Sequence, residues 1–216
     1  MKGEKGAITT RVLVLSVAAV VALEAGFLAV MSLVSADGIL FFGLIRLLQA
    51  AAVIGVAVML DGDLSAIGLQ KHTLFPGLKK GLLWSAGFGF AALVVLGLLY
   101  MAGFDVRSIF HTRMPASRAD LVLFLMVGGV VGPVAEEVFF RGILYGFFRR
   151  WGVILAILVS TGFFLMAHPL RASFPVTQFV GGVLFAVAYE LEGSLMVPIL
   201  IHVLGNLGIF AVSMAI

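Results

Sequence analysis

The stretch DLVLFLMVGGVVGPVAEEVFFRGILYGFF, residues 120–148, decides the architecture. After Asp120 its only charges are Glu136, Glu137 and Arg141, set in an unbroken apolar background. The run exceeds the roughly 20 residues that one bilayer-spanning helix needs. Gly132-Pro133 interrupts it, so it reads as one tilted helix or as two shorter ones. The rest of the chain has the same character. Of its 216 residues 62% are hydrophobic, 12% are charged, 26 are glycine and none is cysteine. A soluble domain of this length has too little interior to hide that much apolar surface. Disorder and a disulfide scaffold are excluded by the same composition. The expectation is an all-α, polytopic transmembrane helix bundle with about seven or eight spanning helices.

Working outward, seven apolar blocks lie at about 12–35, 38–60, 81–103, 120–148, 152–168, 175–189 and 194–216. Residues 61–80 form the longest polar stretch, in which Phe75-Pro76-Gly77 reads as a turn into the third helix. Residues 1–216 are read as a single transmembrane domain, with residues 1–119 carrying no motif and residues 120–216 carrying all three described below. Lys2, Lys5 and Arg11 ahead of an apolar run, with Val34-Ser35-Ala36 beyond it, have the outline of a signal peptide. The run is too long for one and is read as a retained first helix. With seven passes and the N-terminus inside, the inner segments hold Lys2, Lys5, Arg11, Lys71, Lys79, Lys80, Arg149 and Arg150, against Arg107, Arg113, Arg118 and Arg171 outside. That bias places the N-terminus in the cytoplasm of a cell-membrane protein. The net charge of +3 signals topology and anionic headgroups, with no nucleic-acid partner implied.

Charges at membrane depth are expensive and are functional candidates by default. Glu137 and Arg141 are four apart and suit an ion pair on one helix face. Glu136 is turned about 100° from Glu137, so Arg141 does not serve both, and Glu136 is left for acid–base chemistry. His168 follows Phe164 by one helical turn, and His202 precedes Asn206 by one. Taken singly, His168 reads first as a packed or interfacial residue, and His202 with Asn206 equally as an interhelical hydrogen-bonding pair. Rise per residue puts Glu136 ~18 Å, His168 ~24 Å, His202 ~12 Å and Asn206 ~18 Å from the inner surface. Their shared depth favours one polar cavity. It has a base, two imidazoles and an amide but no Cys or G-x-S-x-G nucleophile. Water activated by Glu136, with His168 sharing its proton and His202 and Asn206 facing a developing oxyanion, gives acyl or peptide hydrolysis inside a membrane.

The motifs E-E-x-x-x-R (Glu136, Glu137, Arg141), F-x-x-x-H (Phe164, His168) and H-x-x-x-N (His202, Asn206) occur in that order. In this the chain resembles the CPBP family of intramembrane proteases, which includes type II CAAX prenyl proteases and bacterial Abi-type proteins. The resemblance covers the chain from about Asp120 onward. It implies Glu136 and His168 as the water-activating pair, His202 and Asn206 as the oxyanion site, and Glu137, Arg141 and Phe164 as supports. A metal-free mechanism is expected. The alternative is zinc on Glu136, His168 and His202, although H-E-x-x-H is absent.

The implied partners are a membrane-protein or lipid-anchored peptide substrate and the bilayer itself. Competing readings are an idle binding or bacteriocin self-immunity protein of the same fold, and a proton-coupled transporter, which would be expected to show two related halves. Elsewhere, Glu24 and Arg46 are placed to pair across the first helical hairpin, centred on Ala36-Asp37. Gly142 and Gly146 form a G-x-x-x-G that permits close helix contact, within the chain or in a homodimer. Glu190 and Glu192 are expected to be solvated at a helix end.

Overall fold

A computed structural model describes residues 7–33, 38–106, 110, 112–168 and 175–215. Among them are seven helices and no strand: α1 (Thr10–Leu33), α2 (Gly38–Asp61), α3 (Lys71–Met101), α4 (Arg118–Trp151), α5 (Val153–Met166), α6 (Val176–Glu192) and α7 (Met196–Ala215). The all-helical bundle is as expected. Five of these, α1 to α4 and α7, are long and apolar enough to cross a membrane. The other two are shorter, with 14 residues in α5 and 17 in α6, about 21 and 26 Å of rise. The cleavage-site reading at Val34-Ser35-Ala36 and the hairpin turn at Ala36-Asp37 lie outside the described residues, as do Arg107 and Arg171.

The bundle is inverted relative to a soluble protein. Met59, Leu83, Phe90, Leu93 and Ile154 project outward with most of their surface free, while Glu137 and Arg141 are fully buried at the centre. Lipid tails accept the apolar exterior, and the two buried charges pair with each other.

The fourth block is a single element. α4 contains α-helical Gly132–Glu137 flanked by two π-helical stretches, Val127–Val131 and Val138–Tyr145. The wider turns absorb Pro133 without breaking the helix. α4 is the hub, packing against α1, α2, α5, α6 and α7, while α3 runs along α7. Gly142 and Gly146 serve this role. A Cβ at Gly142 would stand 3.2 Å from Ile67, and one at Gly146 2.9 Å from Ile8. The G-x-x-x-G face is thus filled from within the chain.

Three local expectations change. The third helix does not follow a turn at Phe75-Pro76-Gly77; it starts at Lys71 and runs through Pro76. Tertiary packing overrides the local signal: Gly77 and Gly81 let α3 lie directly on Ser194, Met196 and Leu200, and Ser194 Oγ donates to the Thr73 carbonyl at 3.2 Å. Glu190 is not merely solvated, because its carboxylate accepts from Tyr145 (2.7 Å) and Arg149 (2.7 and 2.8 Å). Glu192 binds Lys80 at 2.5 Å and accepts from Trp84 Nε1 at 3.0 Å. Gly193, left-handed at φ 71°, ends α6 directly after these acids.

Those contacts place the start of α3, the end of α4 and the end of α6 at one end of the bundle. Arg150, which donates to the Ile8 carbonyl, brings the start of α1 there as well. At the other end Ser213 binds Phe110 and Thr112. The chain alternates as seven passes require, with Arg11, Lys71, Lys79, Lys80, Arg149 and Arg150 near the first end. Glu24 and Arg46 do pair, at 3.3 Å.

Candidate active site

Two carboxylates side by side on α4 meet different surroundings. Glu137 points into the bundle with its side chain at 0% exposure, and Glu136 keeps 20%. Arg141, one turn after Glu137, donates from Nη1 to Glu137 Oε1 at 2.9 Å and from Nη2 to the Gly182 carbonyl on α6 at 3.1 Å. Its guanidinium lies 4.7 Å from the Phe164 ring centroid and 5.2 Å from that of Phe185. Both charge and flat face are matched, as a buried arginine requires. Phe164, from α5, is 2% exposed and joins the motif residues on three helices.

His202 on α7 comes to the same carboxylate. Its Nδ1 is 2.7 Å from Glu137 Oε1, its Nε2 is 3.8 Å from Glu136 Oε2, and its ring stacks on Phe185 at 4.6 Å and 22°. A carboxylate held by arginine only accepts, so the ring proton sits on Nδ1 and Nε2 faces Glu136. The 3.8 Å gap is too long for a direct hydrogen bond and suits a bridging water.

Asn206 Nδ2 donates to the Gly128 carbonyl in α4 at 2.9 Å. His168, half-buried at the end of α5, has Nδ1 2.7 Å from the Phe164 carbonyl and its ring 4.5 Å from that of Phe164. Because a carbonyl only accepts, Nδ1 carries the proton and Nε2 is the open nitrogen. No hydrogen bond or ion pair joins His168 to Glu136 among the described residues. Also among them, no three of His, Asp, Glu and Cys stand so as to hold a metal ion. The set Glu136, His168 and His202 does not fit one.

The structure brings Glu136, Glu137, Arg141 and His202 into one polar cluster and sets His168 on the far side of Phe164, whose ring lies 5.8 Å from that of His202. Sequence reasoning missed Phe185 and the two backbone carbonyls, Gly128 and Gly182. Gly182 has a readable reason to be small, since a Cβ there would meet Thr161 at 2.8 Å. The stacking of Phe185 on His202 leaves no signature in spacing.

All seven motif residues fall within residues 118–208, which match a single family model. That family is the type II CAAX prenyl endopeptidase Rce1-like family. The resemblance read from the three motifs is thereby borne out. The membrane-embedded CAAX protease MroQ of Staphylococcus aureus is 35% identical over 91 residues, 39% of this chain and 36% of that protein. An uncharacterized 24.3 kDa protein of Escherichia coli is 30% identical over 100 residues, 43% of this chain and 46% of that protein. The chain therefore spans less than half the length of either relative. No solved structure matches. The family and the apolar helices make this an integral membrane protein.

Proposed function

We propose that the chain is an intramembrane endopeptidase that hydrolyses a peptide bond in membrane-associated substrates, with Glu136 activating water. One observation carries this reading. Arg141 and His202 Nδ1 are both committed to Glu137, which leaves the more exposed Glu136 for chemistry, a water's breadth from His202 Nε2. Glu136 takes a proton from water as its oxygen attacks the scissile carbonyl, and the same proton passes to the departing amine. His168, with its open Nε2, shares that proton. His202 and Asn206 stabilise the oxyanion, Asn206 through its second amide hydrogen and His202 from the Nε2 side of its ring. The substrate is a membrane protein or a lipid-anchored peptide, the mechanism requires no metal, and the end of the bundle rich in lysine and arginine faces the cytoplasm.

The family's name supplies the probe: a farnesylated C-a-a-X peptide in proteoliposomes holding wild type or Glu136→Gln, with and without a chelator. Wild type is expected to cleave with and without chelator, and Glu136→Gln to be inactive at an unchanged melting temperature. Turnover by a folded Glu136→Gln protein overturns the assignment, and chelator inhibition reversed by zinc replaces it with a metal mechanism.

A further inference from the structure

The π-helical stretch Val127–Val131 ends at Gly132, whose N–H bonds to the carbonyl of Val127 instead of that of Gly128. The next residue, Pro133, has no N–H. The Gly128 carbonyl thus loses the α-type donor at Gly132 and the π-type donor at Pro133. A bare carbonyl inside a bilayer has no water to turn to. Asn206 Nδ2 fills the place from α7, at 2.9 Å. Backbone contact reinforces the seat: the α4 face at Gly128 and Gly129 lies so close to Phe210 and Leu207 that a Cβ at Gly129 would collide with Leu207.

The turn that leaves this carbonyl open also aims the carboxylates. A π-turn adds one residue to a helix, and everything after it is rotated by about 100°. Glu136 and Glu137 follow directly, in the short α-helical piece Gly132–Glu137. With the turn in place, Glu137 meets His202 and Arg141 while Glu136 faces His202 Nε2. A register change of one residue would exchange these surroundings.

We infer that Asn206 has a positioning role besides the oxyanion contact proposed for its second amide hydrogen. Its amide closes the hydrogen bond left open by Pro133 and the π-turn, and so holds Glu136 and Glu137 in their two different environments. The kinetic consequence rests on the proposed proteolysis; the hydrogen-bond assignment rests on geometry alone.

The test is a cycle of Asn206→Leu, Pro133→Ala and the double variant in the full chain. Leucine keeps the volume of asparagine and removes the N–H, while alanine at 133 returns an N–H to α4. Asn206→Leu is expected to lower the melting temperature in detergent by about 2–4 °C, the effect of one lost hydrogen bond in a chain of this size. The double variant is expected to regain that loss, and to turn over the farnesylated peptide about tenfold faster than Asn206→Leu, one hydrogen bond's worth of barrier. Additive melting losses, or Asn206→Leu melting like wild type, overturn the inference. If Pro133→Ala does not fold, the melting of Asn206→Leu decides alone. Failure of the proposed function is separate, because it shows as an active Glu136→Gln protein whatever the melting cycle gives.

Discussion

Glu137 Oε1 lies 2.7 Å from His202 Nδ1 and 2.9 Å from Arg141 Nη1, so a single carboxylate oxygen orients both the imidazole and the guanidinium. It fixes the His202 tautomer and leaves Nε2 as the nitrogen facing Glu136.

The two ring nitrogens can be separated by substitution. His202→Asn places an amide nitrogen where Nδ1 stood and keeps the donor to Glu137, but it has nothing at the Nε2 position. Its melting temperature is expected to stay near that of wild type, while turnover falls by about 10²–10³, the usual loss for one oxyanion donor. His202→Gln reaches the Nε2 position and abandons Glu137, so the larger melting loss is expected there. Full turnover in His202→Asn would show that Nε2 takes no part in the reaction.

Arg141 is a structural cation whose loss harms folding first. Arg141→Ala leaves Glu137 charged and buried, at a cost of about 3–5 kcal/mol. Pairing Arg141→Met with Glu137→Gln removes both charges and is expected to restore much of the lost stability, because the uncompensated charge is the main penalty. Thermal unfolding of the three proteins checks this. An unchanged melting point with lost activity in Arg141→Ala would instead place the guanidinium on substrate.

The features legible in the sequence were those with local spacing. Glu137 and Arg141, four apart on α4, pair as the helix period requires, and the Glu24–Arg46 pair followed from equal distances to a hairpin turn. What failed depended on partners distant in the chain. Pro76 reads as a breaker until Gly77 and Gly81 are seen seated on α7. Glu190 and Glu192 read as solvated until α3 and α4 bring Lys80, Trp84, Tyr145 and Arg149 to them. Mid-membrane depth put His202 in the same layer as Glu136, and the two lie 3.8 Å apart. Depth alone says nothing about rotation, and so it did not show that Asn206 points to Gly128 or that His168 binds Phe164.

The α1–α2 hairpin carries a second polar cluster. Gln49, only 4% exposed, accepts from Arg46 at 2.6 Å and donates to Glu24 at 2.8 Å. Gln49→Leu removes hydrogen bonds and leaves the ion pair, a loss of about 0.6–1.7 kcal/mol on the scale of interhelical bonds in membranes. Arg46→Leu takes the counter-charge from Glu24, which keeps only the Gln49 amide, and is expected to cost more than Gln49→Leu. Equal melting shifts for the two variants would mean that the ion pair adds nothing to the hairpin.

Gly146 decides between packing inside the chain and packing between chains. Its missing side chain admits Ile8 from the segment before α1, and Arg150 on the same end of α4 donates to the Ile8 carbonyl. Gly146→Leu would drive a branched side chain into Ile8, whose 0% exposure leaves no direction in which to retreat. Overpacking of this kind costs about 1–3 kcal/mol, or roughly 2–12 °C in melting temperature for a chain of this size. Shortening the obstacle with Ile8→Ala in the same protein is expected to recover part of that loss, since the two sites are in contact and their effects are not additive. Sedimentation in detergent is expected to give the same mass for wild type and Gly146→Leu. A wild-type dimer that becomes a monomer in Gly146→Leu at an unchanged melting temperature would instead assign the glycine pair to a subunit interface.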